Sequence, residues 1–210
     1  MSMIDLLGAG RLVPVVVLES LAPVTPLADA LVRGGLPCAE VTLRTPAALP
    51  ALRAFAERSE MIVGAGSVRT AEQVDQAIEA GARFVVSPGI SDGVLDRCRA
   101  LGVPAVPGVA TATEIMRALD AGVEVVKLFP AGLLGGPAGV RTLAAPFPTL
   151  RFVPTGGIGQ SELADYLREP AVLAVGGSWM VAPHLLRAGH FDEIERLTRD
   201  AVMTAVEVRP

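Results

Sequence analysis

The sequence contains very little lysine, histidine or cysteine. Among 18 basic residues in a chain of 210, lysine occurs only as Lys127, and all the others are arginine. The two cysteines, Cys38 and Cys98, form no CxxC motif, and the two histidines, His184 and His190, belong to no metal-ligand pattern. We therefore expect reduced cysteines with a packing role and no bound metal ion.

A basic surface and long hydrophobic runs are also missing. The formal net charge is -4, which leaves no basic footprint for nucleic acid or an anionic membrane. Although 51% of the residues are hydrophobic, no uninterrupted apolar run reaches the roughly 20 residues of a spanning helix. Asp5, in an N-terminal segment without basic residues, is unlike a signal peptide. These absences predict a cytoplasmic protein that binds neither nucleic acid nor membranes.

What the sequence does contain is a repeated alternation of short apolar runs and helical stretches. The predicted strands are residues 12–18, 38–44, 61–63, 84–87, 105–107, 123–129, 152–154 and 172–175. The predicted helices are residues 2–10, 24–34, 46–58, 70–80, 91–101, 111–121, 137–145, 160–168, 183–188 and 191–207. Strands that alternate with helices pair in parallel through right-handed crossovers.

Eight such units in 210 residues are typical of one compact (β/α)8 TIM barrel, preceded here by a short N-terminal helix. An open doubly wound sheet is the alternative fold. No linker or low-complexity tract divides the chain, so residues 1–210 are expected to form a single domain.

Lys127 lies in the apolar run 123–129 and shares a face of that strand with Val125 and Phe129. Arginine stays protonated, whereas a lysine amine in an apolar environment can lose its proton and attack a carbonyl group. A structural lysine that reaches water or pairs with a carboxylate is the alternative. Because arginine supplies the remaining basic charge, we favour a nucleophilic amine that forms an imine with the substrate.

Glu40, Thr42 and Arg44 alternate along the second predicted strand and share one face, which points to the axis of a barrel. Charged side chains are seldom buried for stability alone. Arg44 near Lys127 would favour the neutral amine, and Glu40 is the predicted general acid and base. The alternative is that Glu40 is only the salt-bridge partner of Arg44 or Lys127.

Two glycine pairs, Gly156-Gly157 and Gly176-Gly177, follow the last two predicted strands. Glycine lets backbone N–H groups approach an anion, and the loops after strands seven and eight are the usual phosphate site of a TIM barrel. Ser178 adds a hydroxyl group. A glycine pair by itself is also typical of an ordinary turn.

Six motifs together resemble the 2-keto-3-deoxy-6-phosphogluconate (KDPG) and 4-hydroxy-2-oxoglutarate (KHG) aldolase family, which uses class I chemistry. They are residues 40–45 (EVTLRT), 64–67 (GAGS), 87–89 (SPG), 126–131 (VKLFPA), 154–157 (PTGG) and 176–179 (GGSW). The resemblance covers nearly the whole chain, with the motifs in order and at matching spacing.

The resemblance implies that Lys127 is the Schiff-base lysine and Glu40 the acid/base residue. It implies substrate contacts by Arg44 and Ser67 at the pyruvate carboxylate, Phe129 beside the imine, Thr155 near the reacting centre, and Gly156, Gly157, Gly177 and Ser178 at the phosphate. Pro88 is a further predicted substrate contact. Two positions depart from the family pattern. Ser67 stands where threonine is common, and Leu18-Glu19 stands where many relatives have a basic residue.

By this resemblance the expected activity is cleavage of KDPG to pyruvate and glyceraldehyde 3-phosphate in the Entner–Doudoroff pathway. No cofactor is expected, and the expected assembly is a homotrimer. Cleavage of KHG to pyruvate and glyoxylate is the alternative within the same chemistry. A non-catalytic barrel that binds phosphorylated metabolites is the alternative from another class.

Overall fold

The computed structural model describes residues 7–8 and 10–208, so most of the helix predicted over residues 2–10 lies outside the described residues. The described strands are β1 (Leu12–Val16), β2 (Cys38–Thr42), β3 (Ile62–Gly66), β4 (Phe84–Val86), β5 (Ala105–Val106), β6 (Gly108–Val109), β7 (Val125–Leu128), β8 (Arg151–Phe152) and β9 (Val175–Gly177). The described α-helices are α1 (Val24–Arg33), α2 (Ala48–Ala56), α3 (Ala71–Glu79), α4 (Asp92–Leu101), α5 (Ala112–Asp120), α6 (Gly136–Ala144), α7 (Leu163–Leu167), α8 (Pro183–Ala188) and α9 (Phe191–Glu207).

Helix starts follow local sequence signals. Thr70 accepts a hydrogen bond from the backbone N–H of Gln73 at 3.2 Å, which caps α3. Thr111 and Glu114 form a reciprocal capping box at the start of α5. These caps satisfy N–H groups that have no partner within the helix, so α3 and α5 begin directly after Thr70 and Thr111, one residue after the predicted starts.

All strand pairs are parallel, which confirms the predicted α/β class with alternating strands and helices. One curled sheet has the order β5-β4-β3-β2-β1-β9, and a second has the order β6-β7-β8. Isolated parallel bridges join Phe152 to Val172 and Thr155 to Gly176. Apolar side chains from strands and helices form the continuous buried core between these layers.

The predicted fifth strand is interrupted at Pro107, which separates β5 from β6. Proline has no N–H to donate, so the ladder breaks at that residue. The Pro107 carbonyl still accepts a hydrogen bond from the backbone N–H of Lys127 at 2.9 Å. The interruption therefore leaves β6 paired beside the strand that carries Lys127.

Glycine-containing segments that were predicted as loops belong to strands. β3 continues to Gly66, and the last strand is β9, which contains Gly176 and Gly177, instead of residues 172–175. Gly64 is required inside β3, because a Cβ atom there would lie 2.3 Å from the Phe84 ring. Propensity disfavours glycine in strands, but close packing against a neighbouring side chain overrides that preference here.

Across the described ranges, we find no helix with the length and hydrophobicity needed to cross a membrane.

Candidate active site

Lys127 and Glu40 form a buried ion pair. Lys127 lies on β7 and Glu40 on β2, in the two different sheets, so the side chains meet in the space between them. Lys127 donates a hydrogen bond from Nζ to Oε1 of Glu40 at 3.2 Å, and the two side chains are only 6% and 4% exposed. Burying two charges costs desolvation energy, which a fold seldom accepts for stability alone.

Gly66, at the end of β3, provides the space for the Glu40 carboxylate. If Gly66 carried a Cβ atom, that atom would lie 2.2 Å from Oε1 of Glu40. The hydroxyl of buried Thr42 donates to the carbonyl of Val16 at 3.0 Å, so this polar group on β2 has a partner. In the sequence, Gly66 stands out only as part of the motif at residues 64–67. The signal that could have revealed its role is a glycine on the strand next to one that carries a buried acid.

Arg44 and Ser67 form a second polar contact beside the ion pair. Arg44 lies just beyond the end of β2, and its Nε donates to Oγ of Ser67 at 2.8 Å. Ser67 has a φ angle of +58°, which is uncommon for a residue other than glycine. Such left-handed residues cluster at functional sites, where the surrounding structure holds them in place.

A cavity of about 280 Å³ collects most of the predicted site residues. The predicted residues that line it are Arg44, Lys127, Phe129, Thr155, Gly156, Gly157, Gly177 and Ser178. Glu40 and Ser67 contact this set through Lys127 and Arg44. The cavity is also lined by Gly176, from the second predicted glycine pair, and by four residues to which the sequence assigns no role, namely Val15, Val17, Ile158 and Pro183.

Phe129 forms the apolar wall beside the lysine. The Nζ atom of Lys127 lies 5.3 Å from the centroid of the Phe129 ring, within the range of a cation–π contact. The Phe129-Pro130 peptide bond is cis. A Cβ atom on Gly156 would lie 2.9 Å from the nearest carbon of this ring. The glycine therefore lets the ring lie against the backbone that lines the cavity.

The four glycines that line the cavity are each required for a different structural reason. Gly156 and Gly157 have φ angles of +91° and +76°, which glycine adopts without strain. Gly176 faces Thr155, whose Oγ1 would lie 2.2 Å from an added Cβ atom, and Gly177 packs against the ring of Trp179. The first pair lies in the loop after β8, as predicted, whereas the second pair lies in β9 and brings strand backbone to the cavity.

Pro88 is not among the residues that line this cavity, and its substrate contact stays a prediction. Its carbonyl oxygen lies against Gly108, where a Cβ atom would come within 2.3 Å. Gly108 in turn pairs with Lys127 between β6 and β7. The motif at residues 87–89 therefore contacts the strand beside the one that carries Lys127.

The cysteines are both free and buried, as expected for packing residues. Burial raises the pKa of the Cys38 thiol to about 12, with a further contribution from the charge of Glu40. Burial also raises the pKa of the Cys98 thiol to about 11. Neither thiol is therefore a ready nucleophile at neutral pH.

Comparison of the whole chain with known proteins identifies its family. Residues 3–197 match the family model "KDPG and KHG aldolase". The 2-dehydro-3-deoxy-phosphogluconate aldolase of Treponema pallidum is 49% identical over 193 residues, which cover 91% of this chain and 92% of that protein.

Solved structures show the same relationship. The aldolase of Zymomonas mobilis ZM4, crystallised with 3-phosphoglycerate, is 41% identical with a TM-score of 0.89, covering 95% of this chain and 94% of that one. The KDPG aldolase of Legionella pneumophila, with pyruvate captured as a covalent carbinolamine, is 36% identical with a TM-score of 0.91, covering 95% and 97%. The chain therefore belongs to the KDPG and KHG aldolase family, and it is a lyase.

Proposed function

We propose that this chain cleaves KDPG to pyruvate and glyceraldehyde 3-phosphate through a Schiff base on Lys127. The observation that carries the proposal is the buried contact between Lys127 and Glu40, 3.2 Å apart, at a cavity that is lined by Lys127 and by four glycines. An amine nucleophile with a carboxylate in hydrogen-bond reach is the arrangement that imine chemistry requires.

The first step is attack of the Lys127 amine on the C2 ketone of the substrate. Glu40 takes a proton from the ammonium group to free the amine and, in two successive transfers, delivers two of the nitrogen protons to the C2 oxygen, which leaves as water after the carbinolamine stage. The product is a protonated imine, whose positive charge can accept an electron pair from the neighbouring carbon. The 3.2 Å contact between the two side chains supports a direct proton transfer.

The second step breaks the bond between C3 and C4. Glu40, directly or through a water molecule, takes the C4 hydroxyl proton, and the bonding electron pair moves into the C2–C3 enamine as glyceraldehyde 3-phosphate leaves. Glu40 then returns a proton to C3. Water adds to the resulting imine, which releases pyruvate and regenerates the free amine of Lys127.

The substrate is oriented by groups on both sides of the lysine. Arg44, held by Ser67, binds the carboxylate at the pyruvate end, since a guanidinium recognises a carboxylate in a planar pair of hydrogen bonds. Thr155 contacts the substrate near C4, and Phe129 covers the imine. The backbone at Gly156, Gly157 and Gly177, together with the hydroxyl of Ser178, receives the phosphate.

The proposal extends to the architecture and setting of the enzyme. The two sheets close into one (β/α)8 barrel, a reading supported by the single residue, Pro107, that separates β5 from β6 and by the bridge from Thr155 to Gly176. The single domain of residues 1–210, the homotrimer and the cytoplasmic location follow from family resemblance and composition. In this setting the reaction completes the Entner–Doudoroff pathway.

Borohydride trapping tests the imine directly. The protein is incubated with pyruvate and sodium borohydride, its intact mass is measured, and the modified peptide is mapped. We expect an increment matching reduced pyruvate on the peptide that contains Lys127. The matched control is Lys127→Arg, which preserves charge but removes the nucleophilic amine, and which should fold, gain no mass and lose turnover.

A folded protein that binds pyruvate without a borohydride-dependent mass increment would reject class I chemistry. That result would favour the non-catalytic phosphometabolite-binding barrel instead. Substantial turnover by Lys127→Arg would reject the assignment of Lys127.

Cleavage of KHG is the second candidate, and the charge distribution of the cavity favours testing it. The only cationic side chains that line this cavity within the described structure are Arg44 and Lys127, while the end assigned to the phosphate has neutral donors. A substrate without phosphate can use the same carboxylate and imine groups. Comparison of kcat/KM for KDPG and KHG decides which cleavage dominates.

A further inference from the structure

A second cavity lies next to the proposed active site. Its volume is about 520 Å³, and it shares two lining residues, Val17 and Pro183, with the active-site cavity. Its other walls come from the segment after β1 and from the exposed face of α8. The two cavities therefore adjoin at Val17 and Pro183, and Val17 follows the strand β1 that pairs with β9 at Gly177.

Two charged side chains of opposite sign line the second cavity, Glu19 from the segment after β1 and Arg187 from α8. Both residues are exposed, and within the described part of the chain neither side chain has a hydrogen-bond or ion-pair partner. Pro183 and Arg187 are four residues apart on one helix, so they lie on the same face. That face runs from the active-site cavity to the second cavity.

The proposed substrate needs a positive group at this end. A phosphate monoester carries about -1.5 to -2 charges at neutral pH, and charge-assisted hydrogen bonds to arginine are its strongest protein contacts. Arg44 and Lys127 are assigned to the carboxylate and the imine, which leaves the phosphate end without a cation in its own cavity. Arg187 is the cation of the adjoining cavity, and it has no competing partner among the described residues.

We propose that Arg187 is the cation that selects phosphorylated substrates, and that Glu19 opposes it. The guanidinium attracts the phosphate that the glycine backbone and Ser178 receive, while the Glu19 carboxylate repels it. The balance between the two side chains sets the preference for KDPG over KHG. This inference rests on the proposed function for its substrate class, but it names residues outside the catalytic cavity.

The test measures kcat/KM for KDPG and for KHG in wild type, Arg187→Ala, Arg187→Lys and Glu19→Gln. We expect Arg187→Ala to lower the ratio of kcat/KM for KDPG to kcat/KM for KHG about five- to tenfold, through a higher KM for KDPG. The salt dependence of kcat/KM for KDPG should also become weaker. Arg187→Lys should recover part of the ratio, and Glu19→Gln should raise it about two- to threefold. The matched control is Arg53→Ala, which removes the same charge from the exposed face of α2.

A second measurement does not depend on turnover. Calorimetric titration with glycerol 3-phosphate should show about five- to tenfold weaker binding to Arg187→Ala than to the wild type or Arg53→Ala. Equal affinity in all three proteins would overturn the inference, as would an equal loss of kcat/KM with both substrates. Absence of wild-type cleavage with either substrate would instead reject the proposed function, while the titration still decides the role of Arg187.

Discussion

Substitution of Gly66 by alanine tests how the fold places the acid/base carboxylate. The added Cβ atom would lie 2.2 Å from Oε1 of Glu40, 2.6 Å from its Cγ and 2.8 Å from its Cδ. Carbon atoms in contact are about 3.5–4.0 Å apart, so something must move by roughly 1 Å. Glu40 is 3% exposed and its backbone is paired on both sides in the sheet, so its side chain is the part that moves.

The displacement acts on both stability and catalysis. Overpacking of a buried site typically costs about 1–3 kcal/mol of unfolding free energy. A shift of about 1 Å also lengthens the 3.2 Å contact between Glu40 and Lys127 beyond hydrogen-bond distance. Misplacement on this scale costs on the order of 100-fold in rate. We therefore expect Gly66→Ala to fold with a lowered Tm and to lose about two orders of magnitude in kcat.

The assay combines thermal unfolding, kcat and the rate of borohydride trapping with pyruvate. Gly93→Ala is the matched control, because a Cβ atom there meets nothing within 4 Å. Alanine within a helix should raise stability by about 0.5–1 kcal/mol and leave kcat unchanged. In a Glu40→Ala background, Gly66→Ala should have little further effect, since the clashing atoms are gone. Wild-type kcat for Gly66→Ala, or fully additive losses in the double variant, would refute the reasoning.

Three further predictions concern the same region. Glu40→Gln should retain the fold and lower kcat about 10²–10⁴-fold with slower imine trapping, and unchanged kinetics would make Glu40 purely structural. Ser67→Ala removes the oxygen that Arg44 contacts at 2.8 Å and should raise KM for pyruvate in the reverse reaction several-fold, whereas Ser67→Thr should preserve the contact. Because burial raises the thiol pKa values of Cys38 and Cys98 to about 12 and about 11, iodoacetamide at pH 8 should label the folded protein far more slowly than the unfolded protein. Because the native state holds both thiols neutral, the free energy of unfolding should fall only as the pH rises above the ordinary thiol pKa. Rapid labelling of the native protein at pH 8 would contradict the burial of the thiols.

The order and type of most elements follow from local pattern alone. Continuous apolar runs predict buried parallel strands, and the caps at Thr70 and Thr111 mark helix starts, because both signals depend on residues close together in the chain. The lone lysine also identified the centre of the site, since arginine cannot replace an amine as a nucleophile. Eight of the predicted site residues consequently line one cavity.

Details that depend on contacts between distant residues escaped the sequence. Gly176 and Gly177 look like a turn, but β9 pairs through them with β1, so they are strand residues. Pro88 belongs to a motif associated with the site, and its carbonyl packs against Gly108 on the strand beside Lys127, a contact that the motif does not predict. Pairing register and the direction of a loop are set by packing against other elements, which one segment cannot reveal.

The sequence by itself determined the parallel α/β class and singled out Lys127 as the predicted nucleophile and Glu40 as its predicted acid and base, because periodicity and residue chemistry are local properties. Only the tertiary structure decided that Lys127 and Glu40, 87 residues apart, meet at 3.2 Å, that Gly66 provides the space for the carboxylate, and that a second charged cavity adjoins the first. Each of these depends on the distance between atoms from different strands, and that distance is fixed by how the sheets curl and pack.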